Sequence, residues 1–152
     1  MGRDKQTMDW DSRIGTHYVR IFLTTHSRGM ERVPHRSGLN WGQREGRNLD
    51  QAYLPVRASD QRSGFFPEIG EEFVVECDDR AVLRLVRAQQ NGKALQTPEN
   101  NSILGSYFRR RLGVRSGDPV SLRHLHDYGR TTVDIFKNAD GFYFLDFRSS
   151  QV

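Results

Sequence analysis

The sequence has little of what marks secreted, membrane-spanning or disulfide-bonded proteins. It has one cysteine, Cys77, so no internal disulfide can form and a reducing cytoplasm is the expected location. Cys77 lies in the short apolar run at residues 73–77 and is predicted to be a buried structural thiol. No apolar run approaches the roughly 20 residues that cross a bilayer, and no apolar stretch follows the charges of the N-terminus. The sequence therefore predicts a cytoplasmic protein without a membrane partner.

Lysine is also scarce. The three lysines are Lys5, Lys93 and Lys137, so twenty of the 23 cationic residues are arginines. The planar guanidinium group suits phosphates and guanine edges, which favours a surface that binds nucleic acid. A GC-rich genome would also enrich arginine, and the ratio alone does not separate the two explanations. The net charge of +4 says little by itself, because a modestly basic surface often serves solubility.

The residues that a metal-dependent nuclease needs are not arranged as such a site requires. Magnesium is held by clustered carboxylates, usually with a lysine nearby. Asp78 and Asp79 are adjacent at a predicted turn, and Asp134 precedes Lys137 by three positions, so neither follows the carboxylate, spacer, carboxylate-x-lysine order. We therefore expect no catalytic residue in this chain. A compact metal-dependent DNA endonuclease that uses Asp78, Asp79 and Asp134 stays open as an alternative.

The five histidines offer no complete metal site. None of them stands in an HExxH arrangement. His124 and His126 lie two positions apart in a predicted strand, where both side chains would share one face and could chelate a metal. Two histidines do not complete a tetrahedral site. We expect no metal ligand here and no cofactor for binding.

Short alternating segments separated by turns predict a mostly β fold. Val19, Ile21 and Leu23 alternate with other residues, which is typical of a strand at residues 17–24. An apolar stripe that ends at Gly113 predicts one helix at residues 102–112, capped by Asn101 or Ser102. Many short strands with one or two helices indicate an open antiparallel pseudobarrel of about seven strands. The predicted domain covers residues 16–152, after a polar tail or linker remnant at residues 1–15, and its other strands are predicted at residues 72–77, 82–89, 121–125, 131–137 and 142–147.

Two polar segments stand out between the predicted elements. Residues 28–47 interleave five arginines with amides and Trp41, and a loop of this length in a compact domain is usually functional. Trp41 is expected to anchor this segment to the core in any case. Residues 89–101 are rich in glutamine and asparagine, whose amides can pair with adenine edges, and lie in a region (residues 80–115) with eight cations and one acid. An ordinary polar turn with a helix cap would also explain these amides.

Six phrases of the sequence resemble the C-terminal domain of NgoFVII-type restriction endonucleases. They are SGLNWGQREGR, AYLPV, FFPEIGEEFVVECDD, QQNGKALQTPENNSILGSYFRRRLG, LHDYGRTTVDIFK and YFLDF, and the resemblance begins at residue 16. It implies a pseudobarrel like the plant B-three domain and the EcoRII N-terminal domain, in which two arms grip the major groove of double-stranded DNA. It also implies sequence-specific recognition for a bacterial type II restriction endonuclease, with catalysis and any metal dependence in a separate nuclease domain of the full-length chain.

The resemblance assigns the two polar segments to the two arms, which we call the first arm (residues 28–47) and the second arm (residues 89–101). An arginine-rich protein interaction module stays open as a further alternative. The expected DNA contacts are Arg32, Arg36, Ser37, Asn40, Trp41, Gln43, Arg44 and Arg47 in the first arm, Gln90, Asn91, Lys93, Gln96, Thr97, Asn100 and Asn101 in the second arm, and Arg109 in the helix that follows.

Overall fold

The structure, a computed structural model, describes residues 17–150 of the chain. The predicted N-terminal tail, residues 1–15, lies outside the described residues. The described part forms the strands β1 (His17–Phe22), β2 (Thr25–Ser27), β3 (Met30–Arg32), β4 (Leu54–Pro55), β5 (Phe73–Cys77), β6 (Val82–Ala88), β7 (Ala94–Gln96), β8 (Thr132–Lys137) and β9 (Tyr143–Asp146). Its α-helices are α1 (Ala58–Gln61), α2 (Asn101–Leu112) and α3 (Leu122–Tyr128), and short 3₁₀-helices span Gly38–Gln43 and Gln90–Gly92.

Seven strands form one sheet that nearly closes on itself. Their order is β1-β8-β9-β5-β6-β7-β4, and the edge strands β1 and β4 approach each other across a single seam. Neighbouring strands are antiparallel, except that β5 and β9 run parallel with Val75 opposite Tyr143. The strands β2 and β3 form a separate hairpin. The prediction of a mostly β pseudobarrel of about seven strands is confirmed, with one parallel pair that the sequence did not indicate.

The core is built from alternating side chains of these strands. In β1, Val19 and Ile21 are buried while Arg20 is exposed, as the alternation predicts. In β5, Cys77 is fully buried, and burial raises the pKa of its thiol to about 12. The thiol is therefore protonated at neutral pH and unreactive, which confirms its predicted structural role.

Helix α2 is the predicted helix, extended by one residue. Its N-cap is Asn100, whose side-chain oxygen accepts a hydrogen bond from Ser102 N at 2.9 Å, so the predicted caps Asn101 and Ser102 are wrong by one or two positions. Gly113 ends the helix in the left-handed conformation (φ 73°), as predicted. Among residues 17–150, no helix is long and apolar enough to span a membrane.

Helix α3 replaces the strand predicted at residues 121–125. Ser121 Oγ accepts from His124 N at 3.3 Å and His124 Nδ1 accepts from Ser121 N at 3.0 Å, a reciprocal capping box that starts a helix. Side chains two positions apart on a helix point in different directions, so the predicted shared face of His124 and His126 is wrong. His126 lies instead beside Glu31 of β3, with 3.2 Å between Nε2 and Oε1.

Arg111 ties helix α2 to the turn after β5 and to the end of β9. Its guanidinium pairs with the Asp78 carboxylate at 2.7 Å and donates to Tyr107 Oη at 2.6 Å and to Phe147 O at 2.9 Å. Asp78 in turn accepts a hydrogen bond from Phe147 N at 2.7 Å. The two charged side chains are only 11% and 6% exposed. Each charge is compensated by the other at a place that water hardly reaches, so the ion pair has a structural role.

Removing one partner of this buried pair should cost far more than removing the carboxylate beside it. We expect Asp78→Ala to lower the free energy of unfolding by about 3–5 kcal/mol, because the buried Arg111 loses its bidentate partner and Phe147 N loses its acceptor, while Asp79 lies 3.7 Å away and cannot replace either contact. The Asp79 side chain is 32% exposed, so Asp79→Ala should lower the free energy of unfolding by only about 1 kcal/mol. Urea denaturation of both variants measures the difference, and equal losses would contradict this account of Asp78.

The segment at residues 52–56, which we call the arm frame, connects both arms by backbone hydrogen bonds. These bonds run from Tyr53 N to Gly38 O in the first arm at 3.1 Å, from Ala52 N to Asn101 O at 3.2 Å, and from Val56 N to Lys93 O at 2.8 Å, the last two in the second arm. The frame contains β4, which pairs with β7 of the second arm. The arms are therefore attached to one short piece of chain rather than to distant parts of the sheet.

Asp50 attaches the chain between the first arm and the arm frame to helix α2. Its carboxylate accepts hydrogen bonds from Ser116 Oγ at 2.5 Å and Gly117 N at 2.8 Å, and lies 3.2 Å from Arg109 Nε. The backbone here lies so close to α2 that a Cβ at Gly105 would stand 1.6 Å from Asp50 O. Only glycine permits this approach, so Gly105 is needed for the chain after the first arm to lie against helix α2.

The Asp50 carboxylate should make the stability of the domain depend on pH in acid. Burial alone would raise the pKa of Asp50, but the hydrogen bonds from Ser116 and Gly117 and the charge of Arg109 lower it below the usual value. A carboxyl group whose pKa is lower in the folded state stabilises the protein at any pH above its pKa in the unfolded chain, about 3.9. This stabilisation is lost as the pH falls through the pKa of the folded state.

We therefore expect the free energy of unfolding to fall less steeply below pH ~4 in Asp50→Asn than in the wild type, because asparagine does not titrate. Ser116→Ala, which removes one hydrogen bond to the carboxylate, should give an intermediate slope. Denaturant titrations between neutral pH and the acid limit of the folded state measure this. The same slope in the wild type and in Asp50→Asn would show that Asp50 is not the group responsible.

Candidate nucleic-acid interface

The sixteen residues expected to contact DNA divide into three groups by the exposure of their side chains. The exposed group is Arg32, Arg36, Arg44, Arg47, Gln90, Asn91, Lys93 and Asn100. The partly exposed group is Ser37, Gln43, Gln96 and Asn101, and the buried group is Asn40, Trp41, Thr97 and Arg109. Exposed side chains therefore remain in both arms, and the four buried residues need a separate explanation.

The buried residues hold the arms to the core. Asn40 is 1% exposed and makes three hydrogen bonds, from its Nδ2 to Pro34 O and Val120 O and from Val120 N to its Oδ1. Thr97 Oγ1 donates to Asn100 O at 2.7 Å and accepts from Leu104 N at 3.3 Å, at the start of helix α2. These side chains have no polar group left for a ligand, so we assign them structural roles.

Arg109 and Trp41 are buried for different reasons. Arg109 is 1% exposed and donates from Nε to Asp118 O at 2.9 Å, besides its pair with Asp50. Trp41 is 9% exposed and packs edge-on against Tyr53, with 5.3 Å between the ring centroids. The expectation that Trp41 anchors the first arm is confirmed. Arg109 points into the protein and has no path to a bound duplex in this conformation.

The exposed part of the first arm forms an open basic groove. After the hairpin of β2 and β3, whose turn at Arg28 and Gly29 has two left-handed residues (φ 53° and 76°), the chain enters the 3₁₀-helix at Gly38–Gln43. Arg44 Nε donates across the groove to Arg36 O at 2.7 Å. The groove has a volume of about 620 Å³ and contains no carboxylate, its lining being Arg32, Pro34, His35, Arg36, Ser37 and Arg44. This arrangement can bind an anionic group.

The arginines of the first arm keep their charge available. In the part of the chain that the structure describes, no carboxylate lies within ion-pair distance of Arg32, Arg36 or Arg44. The region at residues 80–115 is different, although its sequence has the larger excess of cations. Four of its eight cations are already engaged within the fold, namely Arg84 with Glu72 and Glu99, Arg87 with backbone carbonyls, Arg109 with Asp50 and Arg111 with Asp78.

The second arm presents its amides on a strained turn. Gln89 and Asn91 both have positive φ angles, 65° and 61°, and with a ψ of 178° Gln89 adopts a conformation that is essentially reserved for glycine. The Nε2 atom of Gln89 is also buried without a hydrogen-bond partner. Strain of this kind costs about 1–3 kcal/mol for each residue and clusters at functional sites. The turn leaves Gln90, Asn91 and Lys93 exposed.

The carboxylates considered for a nuclease site are engaged with arginines. Asp78 and Asp79 lie beside Arg111, at 2.7 and 3.7 Å. Asp134 is 5% exposed and pairs with Arg20 at 2.8 Å and with Arg130 at 3.1 Å. Asp134 belongs to β8, whereas Asp78 and Asp79 follow β5. Among residues 17–150, no group of three or more His, Cys, Asp or Glu side chains is placed to hold a metal ion.

Comparison with known proteins bears on the family of this chain. A search of curated proteins finds no match to the chain. A family model described as the NgoFVII C-terminal B3-like DNA-binding domain matches residues 14–139. The match includes both arms, the arm frame and helix α2. Because it spans most of the 152 residues, the chain belongs to the family of NgoFVII C-terminal B3-like DNA-binding domains.

Proposed function

We propose that this DNA-binding domain recognises a specific sequence in double-stranded DNA and reads it in the major groove with its two arms. The observation on which the proposal rests is the pairing of two surfaces in one domain. The first arm has a groove of unpaired arginines, and the second arm has exposed amides on a strained turn. Both arms are attached to the same arm frame, so they can act on one ligand together.

The two arms differ in chemistry, and we propose different contacts for them. Arginines bind phosphate oxygens through charge-assisted hydrogen bonds, which position a protein on DNA without reading its sequence. We assign this role to Arg32, Arg36 and Arg44 in the basic groove. Amide side chains pair bidentately with adenine edges. We assign base reading to Gln90 and Asn91, with Lys93 as a donor to guanine.

We further propose that the domain directs a nuclease located elsewhere, in a separate domain of the full-length restriction endonuclease. The family name describes a C-terminal DNA-binding domain, which is consistent with catalysis in another part of such an enzyme. The ion-paired state of Asp78, Asp79 and Asp134 agrees with a binding role for this chain. The setting that fits this function is the bacterial cytoplasm, and binding itself needs no cofactor.

The basic groove should control the affinity for DNA and its dependence on salt. We expect band-shift titrations with random duplexes to show weak binding that falls steeply as the salt concentration rises, because phosphate contacts release counterions. Arg36→Ala and Arg44→Ala should each weaken binding to all sequences and reduce the slope of log K against log salt by about 1.

A matched control for the groove is Arg123→Ala on helix α3, where the side chain is 89% exposed and lies near Asp127. This variant loses the same charge, so it separates a local contact from the effect of net charge. It should keep the wild-type slope. Binding that does not respond to salt, or an equal effect of Arg123→Ala, would contradict the proposed groove.

The second arm should control which sequence is bound. On a preferred site, obtained by selection from a random pool of duplexes, Lys93→Ala is expected to lose about 1–3 kcal/mol of binding free energy, with smaller losses on unrelated sequences. The Lys93 carbonyl that bonds to Val56 N is a backbone group and is unaffected by this change. Equal losses on all sequences would make Lys93 a phosphate contact and not a base reader.

A further inference from the structure

Arg47, the last residue of the first arm, is held differently from the other arginines of that arm. Its guanidinium carbon lies over the Trp41 ring, 3.7 Å from the ring centroid. One of its terminal nitrogens, Nη1, donates to Gln51 Oε1 at 2.9 Å. The guanidinium is thus held on one face by an aromatic ring and at one edge by a neutral amide.

The two groups that hold Arg47 are themselves fixed to each other. Trp41 is 9% exposed, and its neighbour Gly42 donates from its backbone N to Gln51 O at 2.8 Å. A Cβ on Gly42 would lie 2.2 Å from Asn48 O, so the returning chain is in direct contact with the 3₁₀-helix. The place of Arg47 is therefore set by buried structure, although its own side chain is exposed.

This arrangement leaves the charge and most of the donors of Arg47 available. An arginine has five N–H donors, and the bond to Gln51 uses one of them. Within residues 17–150, no carboxylate lies within 4.0 Å of the Arg47 guanidinium, whereas Arg111 and Arg130 are held by aspartates. Trp41 and Gln51 thus order the Arg47 side chain, which has about 2 kcal/mol of rotamer entropy to lose, without neutralising its charge.

We infer that Arg47 reads a guanine base in the major groove, with Trp41 and Gln51 as its positioning residues. This inference rests on the proposed function. Guanine presents two acceptors, N7 and O6, in the plane of the base, and a guanidinium pairs with both at once when the two planes coincide. The contact with Trp41 and the hydrogen bond to Gln51 restrict the guanidinium group and leave four of its N–H donors available for such a pair. A phosphate can also pair with both donors of an arginine, but a phosphate contact carries no base preference, so the bases that the domain selects distinguish the two acceptors.

The decisive variant is Arg47→Lys in the full chain, because lysine keeps the positive charge but has no planar fork. Duplexes bound by the wild type and by the variant are selected from a random pool and sequenced. We expect one position to require guanine in the wild type and to lose that preference in Arg47→Lys, while the other positions are unchanged. Affinity for the preferred site should fall about 5- to 150-fold, and the salt dependence should stay the same.

Arg44→Lys is the matched control, since Arg44 lies in the basic groove of the same arm. It should leave every base preference unchanged. Gln51→Ala should weaken the preference at the position that depends on Arg47 and at no other, a result that a purely structural role would not give. Gln51→Glu places a carboxylate beside Arg47 and should weaken binding to all duplexes by neutralising its charge. Thermal unfolding of each variant verifies that the domain remains folded.

The outcomes separate this inference from the proposed function. If the wild type selects a sequence and Arg47→Lys keeps all of its base preferences, Arg47 is a phosphate or structural residue and the inference is wrong, while the proposed function stands. If the wild type selects no sequence, the proposed function fails and the inference with it. If Arg47→Lys does not fold, Gln51→Ala decides, because an unchanged preference in that variant overturns the role of the positioning residues.

Discussion

The attachment of both arms to the arm frame is the constraint on which the rest of the interface depends. Three backbone hydrogen bonds leave residues 52–56, one to the first arm and two to the second. The frame contains β4, which pairs with β7, so the second arm lies one strand spacing from the frame. Two long polar segments thereby gain a fixed relative position that their own sequences do not specify.

Helix α2 contacts the chain at the start of this frame. It begins where the second arm ends, with Asn100 as its cap, and Arg109 on the same helix pairs with Asp50 just after the first arm. Gly105 allows the chain at Asp50 to lie directly on the helix. Each of these features would be unfavourable alone, because buried charges and a glycine within a helix cost stability. Together, Arg109, Asp50 and Gly105 connect the two arms through helix α2.

The sequence predicted those parts of the structure that depend on local patterns. Alternation identified β1 and β5, and an apolar stripe before Gly113 identified α2. The strand predicted at residues 121–125 failed because Leu122 and Leu125 also fit a helix, and because His124 completes a capping box that usually contains glutamate or glutamine. The short strand β7 was missed, since three residues in a polar stretch become a strand only by pairing with β6 and β4.

The sequence predicted the candidate site as two segments, and it did not distinguish their exposed residues from their buried ones. Composition could not show that Asn40 and Arg109 are buried, because their partners Val120 and Asp50 lie far away in the sequence. The strained conformation of Gln89 could not be predicted either, because the only glycine near it in the sequence is Gly92.

The bonds between the second arm and the arm frame come from backbone atoms, such as the carbonyl of Lys93. Substitutions at its exposed side chains therefore leave its position intact. If these side chains read bases as proposed, the target sequence could be changed at Gln90, Asn91 and Lys93 without redesigning the fold.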